Sequence, residues 1–244
     1  MAPLRFAIRQ LARAPFFSAV AVVTLSLGIG ASTLIFSVVD GVLLEPLPYP
    51  QADRIVRIFE VNDRSIRVQV ADPNFADLKA QNRSFAAFAE LDRTDESVVG
   101  GSEPVRVQRA NVSSEFFDMI GVVPALGRTF LPEELRQGGA PAALVSYGYW
   151  QRYLGGTPDF ASRTLEIAGT IHSIVGVMPQ GFDFPRGTDV WTPRELWPVL
   201  PARNAHNWEV YGPESDRIYS FGLYCCLFVI IGNFNKFTIN IAHL

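Results

Sequence analysis

The side chains that could do chemistry are few and scattered. Histidines stand at 172, 206 and 243. His172 lies between Ile171 and Ile174 in a stretch that reads as a strand, where an imidazole serves structure. His206 sits in a polar stretch with Asn204, Asn207 and Trp208, read as a loop. Nucleophilic or metal-assisted hydrolysis would need an arrangement such as HExxH, GxSxG or SxxK, and the sequence has none. Asp183 and Asp189 flank aromatic loop residues, a carboxylate spacing common on loops. The only cysteines, Cys225 and Cys226, are adjacent within an apolar run, which gives neither a disulfide framework nor a spaced ligand set. The expectation is a chain with no catalytic residue, no cofactor and no metal, hence not an enzyme.

The elements that position these groups begin with a membrane span. Ala14 to Val39 is 26 residues without a charge, and about 20 apolar residues cross a bilayer as a helix. A signal peptide has an apolar run of only about 7–15 residues, whereas this one continues through Leu34, Phe36 and Val39. A buried core helix would show a polar face, and none interrupts the run. A transmembrane anchor is the reading adopted, with residues 14–44 as helix and exit. Gly28–Ile29–Gly30 lies inside this span and not between a strand and a helix, so it is no phosphate loop. Any ATP-driven work would need an ATPase on another chain or segment.

Residues 1–13 form a basic juxtamembrane segment. Arg5, Arg9 and Arg13 recur every four residues beside Leu4, Ile8 and Leu11, a pattern suited to a short helix on a lipid surface. Asp40 and Glu45 follow the span, and no Lys or Arg returns until Arg54. Positive charge stays inside, which predicts a cytoplasmic N-terminus and an extracytoplasmic bulk. Within the span, Ser26, Gly28, Gly30 and Ser32 make overlapping small-xxx-small pairs that would let another helix approach.

The remainder reads as an α+β domain tethered by that one N-terminal helix. Its length of about 165 residues can bury a sizeable core, and a net charge of −3 argues against nucleic acid as a partner. Strands are predicted over Arg54–Glu60, Ile66–Val70, Val105–Val112 and Ala142–Val145. Thr164–Ile167 and Ile171–Val177 read as a hairpin around Gly169. Asp72 followed by Pro73 reads as a helix N-cap with proline at the first turn, Ser113 or Ser114 as the cap of a short helix over Glu115–Ile120, and Tyr147–Tyr153 as a helix stopped by Gly155 and Gly156. Pro179–Asp189 reads as a loop, and Phe116 and Trp150 as core.

Taken together, LPYPQADRIVRI (Leu47–Ile58), DPNFADLKAQNRSFAAFA (Asp72–Ala89), VSSEFFDMIGVVPALGRTF (Val112–Phe130), ALVSYGYWQRYLGG (Ala143–Gly156) and IVGVMPQGFDFP (Ile174–Pro185) resemble the periplasmic core domain of MacB-type ABC transporter permeases. The likeness extends to the large duplicated permeases first noted in acidobacteria, and the N-terminal span fits their first membrane helix. The resemblance covers roughly residues 4–210. It implies a bacterial inner-membrane protein with its main domain, 47–210, in the periplasm. It also implies partnership with a cytoplasmic ABC ATPase, with further permease segments or a second copy, and with lipid, and transport by mechanotransmission. Alternatives are a stand-alone anchored binding or scaffold module, or a remnant without function.

After Val210 the composition shifts: Ala is absent until Ala242, and Ile, Asn, Phe and Tyr take over. Residues 211–244 are therefore expected to be an atypical tail, arising from a frameshift or fusion, with Ile218–Ile231 too short to span.

Overall fold

The computed structural model describes residues 15–39, 55–61, 64, 66–82, 85, 87–100, 103–213 and 240–243. Two compact units divide the chain, Met1–Leu47 and Pro48–Leu244. Arg5, Arg9 and Arg13, the prolines at 46, 48 and 50, and Cys225 and Cys226 lie outside the described residues.

In the first unit, helix α1 runs Pro15–Val39, 25 residues. At 1.5 Å per residue it is about 37 Å long, more than the ~30 Å of a bilayer's hydrocarbon layer. Proline at its first residue loses nothing, because that N–H has no intrahelical acceptor. The Thr24 hydroxyl donates to the Val20 carbonyl at 2.8 Å, which satisfies it without water. Phe16, Leu27 and Phe36 are between 64% and 83% exposed, so this is not a globular core helix.

The second unit is built on a mixed sheet. Its strands are β1 (Ile55–Val61), β2 (Arg67–Val68), β3 (Val70–Ala71), β4 (Ala89–Val99), β5 (Pro104–Val112) and β6 (Leu126–Gly127). They continue with β7 (Ala142–Val145), β8 (Thr164–Ile167), β9 (Thr170–Val177), β10 (Thr188–Pro193), β11 (His206–Pro213) and β12 (Asn240–His243). The order is β12-β1-β11-β4-β5-β10-β7-β9-β6, with β2 on β1, β3 on β11, and β8 bridging β4 and β9. Pairing is antiparallel except at β5/β10 and β7/β9. Helices α2 (Asp72–Gln81), α3 (Phe116–Ile120) and α4 (Tyr147–Tyr153) are short.

Successive strand residues point to opposite faces, and the apolar pairs sort accordingly. Leu144 and Trp191 pack with Phe116, Phe117, Phe184 and Tyr211. Their neighbours Val145 and Val190 pack with Tyr149, Trp150, Leu154 and Leu165. Val210, next to Tyr211, joins a third cluster with Val56, Ile58 and Phe75. Phe116 and Trp150 are core, as expected.

Departures from the sequence reading have physical causes. The expected second strand breaks into β2 and β3, which pair with different neighbours. Asp72 is not a cap: Ala71 holds the N-cap position with no side-chain bond, and the Asp72 carboxylate turns to Arg194. Ser113 and Ser114 do not cap α3 either. The Ser113 hydroxyl accepts from the Glu90 N–H, while the Ser114 N–H donates to Glu195. Ser146 does cap α4, accepting from the Tyr149 N–H at 3.0 Å. The β8–β9 hairpin turns through Ala168 and Gly169, both at positive φ, which suits a two-residue turn. His206 opens β11 instead of sitting in a loop. β11 also crosses position 210 and continues to Pro213, which pairs with Ile55. Beyond it, β12 pairs antiparallel with β1, from Phe59↔Asn240 to Val56↔His243.

Candidate functional site

At 100° per residue, α1 does not gather the expected small residues on one face. Gly28 and Ser32 stack one turn apart and, with Thr24, line a shallow groove. Ser26 and Gly30 lie about 120–160° around the helix from them. The helix therefore carries two small-residue stripes on opposite sides. A Cβ added at Gly28 or Gly30 would meet nothing within 4 Å, so both stripes are open to a neighbouring helix.

The domain's charged side chains converge in buried clusters. Arg194, in a 3-10 turn (Arg194–Leu196) just after β10, is 2% exposed. Its guanidinium pairs with Asp72 and, at 3.1 Å, with Glu90; it donates to the Trp197 carbonyl at 3.2 Å and lies 3.9 Å from the Trp208 ring centre. Asp72 also accepts from the Leu200 N–H at 2.9 Å. Burial pushes the Glu90 carboxyl up to about 7; Arg194 opposes this, and Asp72 and Glu195 reinforce it. In a second cluster Glu209 accepts from Arg93 at 2.8 Å, pairs with Arg57 at 3.2 Å and takes the Tyr211 hydroxyl at 2.7 Å. Burial and Glu209 push the Tyr211 phenol upward. In a third, Glu60 accepts from the Ala71 N–H and Asn74, both at 3.0 Å, and meets His206 at 3.1 Å. Burial foremost raises the Glu60 carboxyl. Charge-assisted bonds of this kind fix geometry strongly. They link β1, β4, β11, α2 and the segment after β10.

His172 is buried, its Nδ1 3.0 Å from the Thr170 carbonyl, and burial lowers its basicity. Asp183 and Asp189 line one open cleft with Ser146 and Arg152. Asp189 is committed there to the Ser146 hydroxyl and Arg152, both at 3.2 Å, with no histidine among the lining residues. Among the described residues no three of His, Cys, Asp and Glu gather to hold a metal. The sequence reading missed Glu60, Glu90, Arg194 and Glu209. The one signal available was a charge flanked by apolar neighbours, as with Glu209 between Trp208 and Val210.

The chain resembles the periplasmic region of MacB from Actinobacillus actinomycetemcomitans at 13% identity and a TM-score of 0.52, over 68% of this chain and 77% of that one. It also resembles the extracellular domain of the noncanonic ABC-type transporter YknZ from Gram-positive bacteria, at 14% identity and a TM-score of 0.52, over 68% and 87% of the two chains. At such identities the likeness is one of fold. No curated protein matches the sequence. The sequence model of the MacB-like periplasmic core domain matches residues 18–221, from within α1 to beyond β11. This chain, an apolar N-terminal helix followed by an α+β domain, belongs to the MacB-like periplasmic core domain family of ABC transporter permeases.

Proposed function

We propose that this chain is a permease-subunit segment of a MacB-like ABC transporter that moves substrate by mechanotransmission. α1 crosses the bacterial inner membrane with Arg5, Arg9 and Arg13 on the cytoplasmic side. The domain stands in the periplasm, and a separate cytoplasmic ATPase supplies the work. The observation that carries this reading is the family match over residues 18–221, which begins within α1 and takes in the domain. A domain braced by buried ion pairs suits the role, because it moves as a body when its tether is displaced. The full chain, tagged and purified from bacterial membranes in mild detergent, is expected to bring down a P-loop ATPase. Replacing Arg5, Arg9 and Arg13 together by Ala is expected to reduce that recovery. An ATPase-free preparation from membranes that express one would count against transport.

A second reading, an anchored stand-alone scaffold, draws support from β12: the segment expected to be an unrelated tail supplies a strand to the sheet. Helix packing separates the two. If α1 packs against other permease helices through its small residues, Gly28→Leu and Gly30→Leu each lower the yield of intramembrane crosslinks, because close approach needs a small side chain. The same yield in both variants would favour the scaffold.

A further inference from the structure

One face of the sheet gathers arginines around an aromatic ring. Along β1, Val56, Ile58 and Glu60 are buried, while Arg57 and Phe59 between them are half-buried on the opposite face. Arg67 of β2 pairs with Val61 and so shares the Phe59 face. Tyr211 of β11 pairs with Arg57, which puts Glu209, two positions earlier, on it too. Leu91 of β4 pairs with Glu209, so Arg93 follows. Arg57 and Arg67 both lie against the Phe59 ring, their Cζ atoms 4.6 and 5.8 Å from its centre. Arg57 and Arg93 both reach Glu209 Oε1, at 3.2 and 2.8 Å.

The one carboxylate among these groups is fully used. Glu209 is 5% exposed, both arginines share its Oε1, and its Oε2 accepts from the Tyr211 hydroxyl. Arg67 has the Phe59 ring as its one partner among the described residues. Asp95, two positions beyond Arg93 on the same face, is paired with Arg106 at 3.8 Å. Three guanidiniums against one carboxylate leave an excess of two positive charges. Their donors are open to solvent: the Arg57 and Arg93 side chains are 25% and 36% exposed, and Arg67 is exposed. A guanidinium carries five N–H donors, so most of them remain available.

We propose that Arg57, Arg67 and Arg93 form a binding site for a phosphate-type oxyanion, either free phosphate or a phosphomonoester. A phosphomonoester carries about −1.5 to −2 charge at neutral pH and three strong acceptor oxygens, which matches the excess. Stacking against Phe59 holds the guanidinium planes of Arg57 and Arg67 against the ring, and the planar fork of each suits a phosphate. A lone carboxylate would neutralise half of the excess, and a cation would be repelled. The site stands whether or not the chain takes part in transport.

The test titrates inorganic phosphate, and separately glycerol 3-phosphate as the headgroup fragment of a phospholipid, into the full chain in an uncharged maltoside detergent at low ionic strength. Phosphorus NMR line widths of the ligand report binding. Saturable broadening is expected, and Arg67→Gln and Arg93→Gln are each expected to weaken it roughly tenfold. Arg67→Gln leaves the Glu209 cluster intact, so its effect cannot come from unfolding. Arg106→Gln removes a 78%-exposed arginine from the same face and is expected to change nothing. Tighter binding of glycerol 3-phosphate assigns the site to a lipid headgroup, and tighter binding of phosphate to the free ion; either result upholds the proposal. Absence of saturable broadening with both ligands overturns it. So does wild-type affinity in Arg67→Gln and Arg93→Gln, or an equal loss in Arg106→Gln, which would mean nonspecific attraction to surface charge.

Discussion

Arg194→Met is expected to lower the stability of the domain by about 3–5 kcal/mol at pH 8, the cost of stranding the partners of a buried ion pair. The side chain is 2% exposed and stands between Asp72 and Glu90, which are 5% and 8% exposed. Methionine fills much of the arginine stem's volume, so the loss is electrostatic and not a cavity effect. Two carboxylates then lie in low dielectric without a counter-charge, and the Trp208 face loses its cation. Urea unfolding of the full chain in detergent, followed by tryptophan fluorescence, measures this. A change below about 1 kcal/mol would mean that water reaches the cluster and screens it as at a surface.

The same cluster sets a pH dependence whose sign is fixed. Glu90 holds its proton up to about 7 in the folded state and only to about 4.3 when unfolded. Between those values the folded state binds more protons than the unfolded one, so stability falls as pH rises and levels off above about 7. Glu90→Gln removes this group's slope. At pH 8 it should stabilise the chain by up to about 4 kcal/mol, and below about pH 4 it should change little. In the Arg194→Met background the cost of the substitution shrinks at low pH for the same reason.

Much of the fold was legible because short-range rules wrote it. The alternation around Ile55–Phe59, the continuous apolar Ala142–Val145 and the Gly169 turn each announce a strand or hairpin from neighbours alone. β4 was not legible. Asp92–Ser97 is polar throughout and shows no apolar period; it is a strand because β5 pairs with it in register from Leu91↔Val112 to Val99↔Pro104. Long-range pairing overrode local preference there.

The buried charges were illegible for a related reason. Nothing near Arg194 reveals that its partner is Asp72, 122 positions away. Asp72 beside Pro73 is a sound capping signal, and it lost to a full charge that could be buried with it. At Val210 the composition does change, yet β11 continues to Pro213 and Tyr211 is 4% exposed. Composition records the history of a segment, whereas pairing depends only on an extended backbone with a free edge beside it.

Trp191→Ala is the second large effect, about 3–5 kcal/mol by the usual cost of emptying a buried aromatic site. Trp191 is fully buried on β10, where it pairs with Ala110 of β5 and Leu144 of β7. Its ring lies 5.4 Å from Phe182, and its Nε1–H donates to the Phe184 carbonyl at 3.1 Å. Small Ala110 opposite it leaves the room that the indole fills, so truncation opens a void that neighbouring strands cannot close without breaking register. Trp191→Phe separates the two contributions. It keeps most of the packing but leaves the Phe184 carbonyl unpaired, for a loss of about 1–3 kcal/mol. Equal losses in both variants would place the energy in the hydrogen bond; a near-neutral Phe variant would place it all in packing. Arg194 follows three residues later on the same segment, so Trp191→Ala should also loosen the ion cluster. The double variant with Arg194→Met is then expected to lose less than the sum of the two, because neighbouring sites that share a support are not additive. Full additivity in the same urea titrations would show that the aromatic core and the charge cluster fold as separate units.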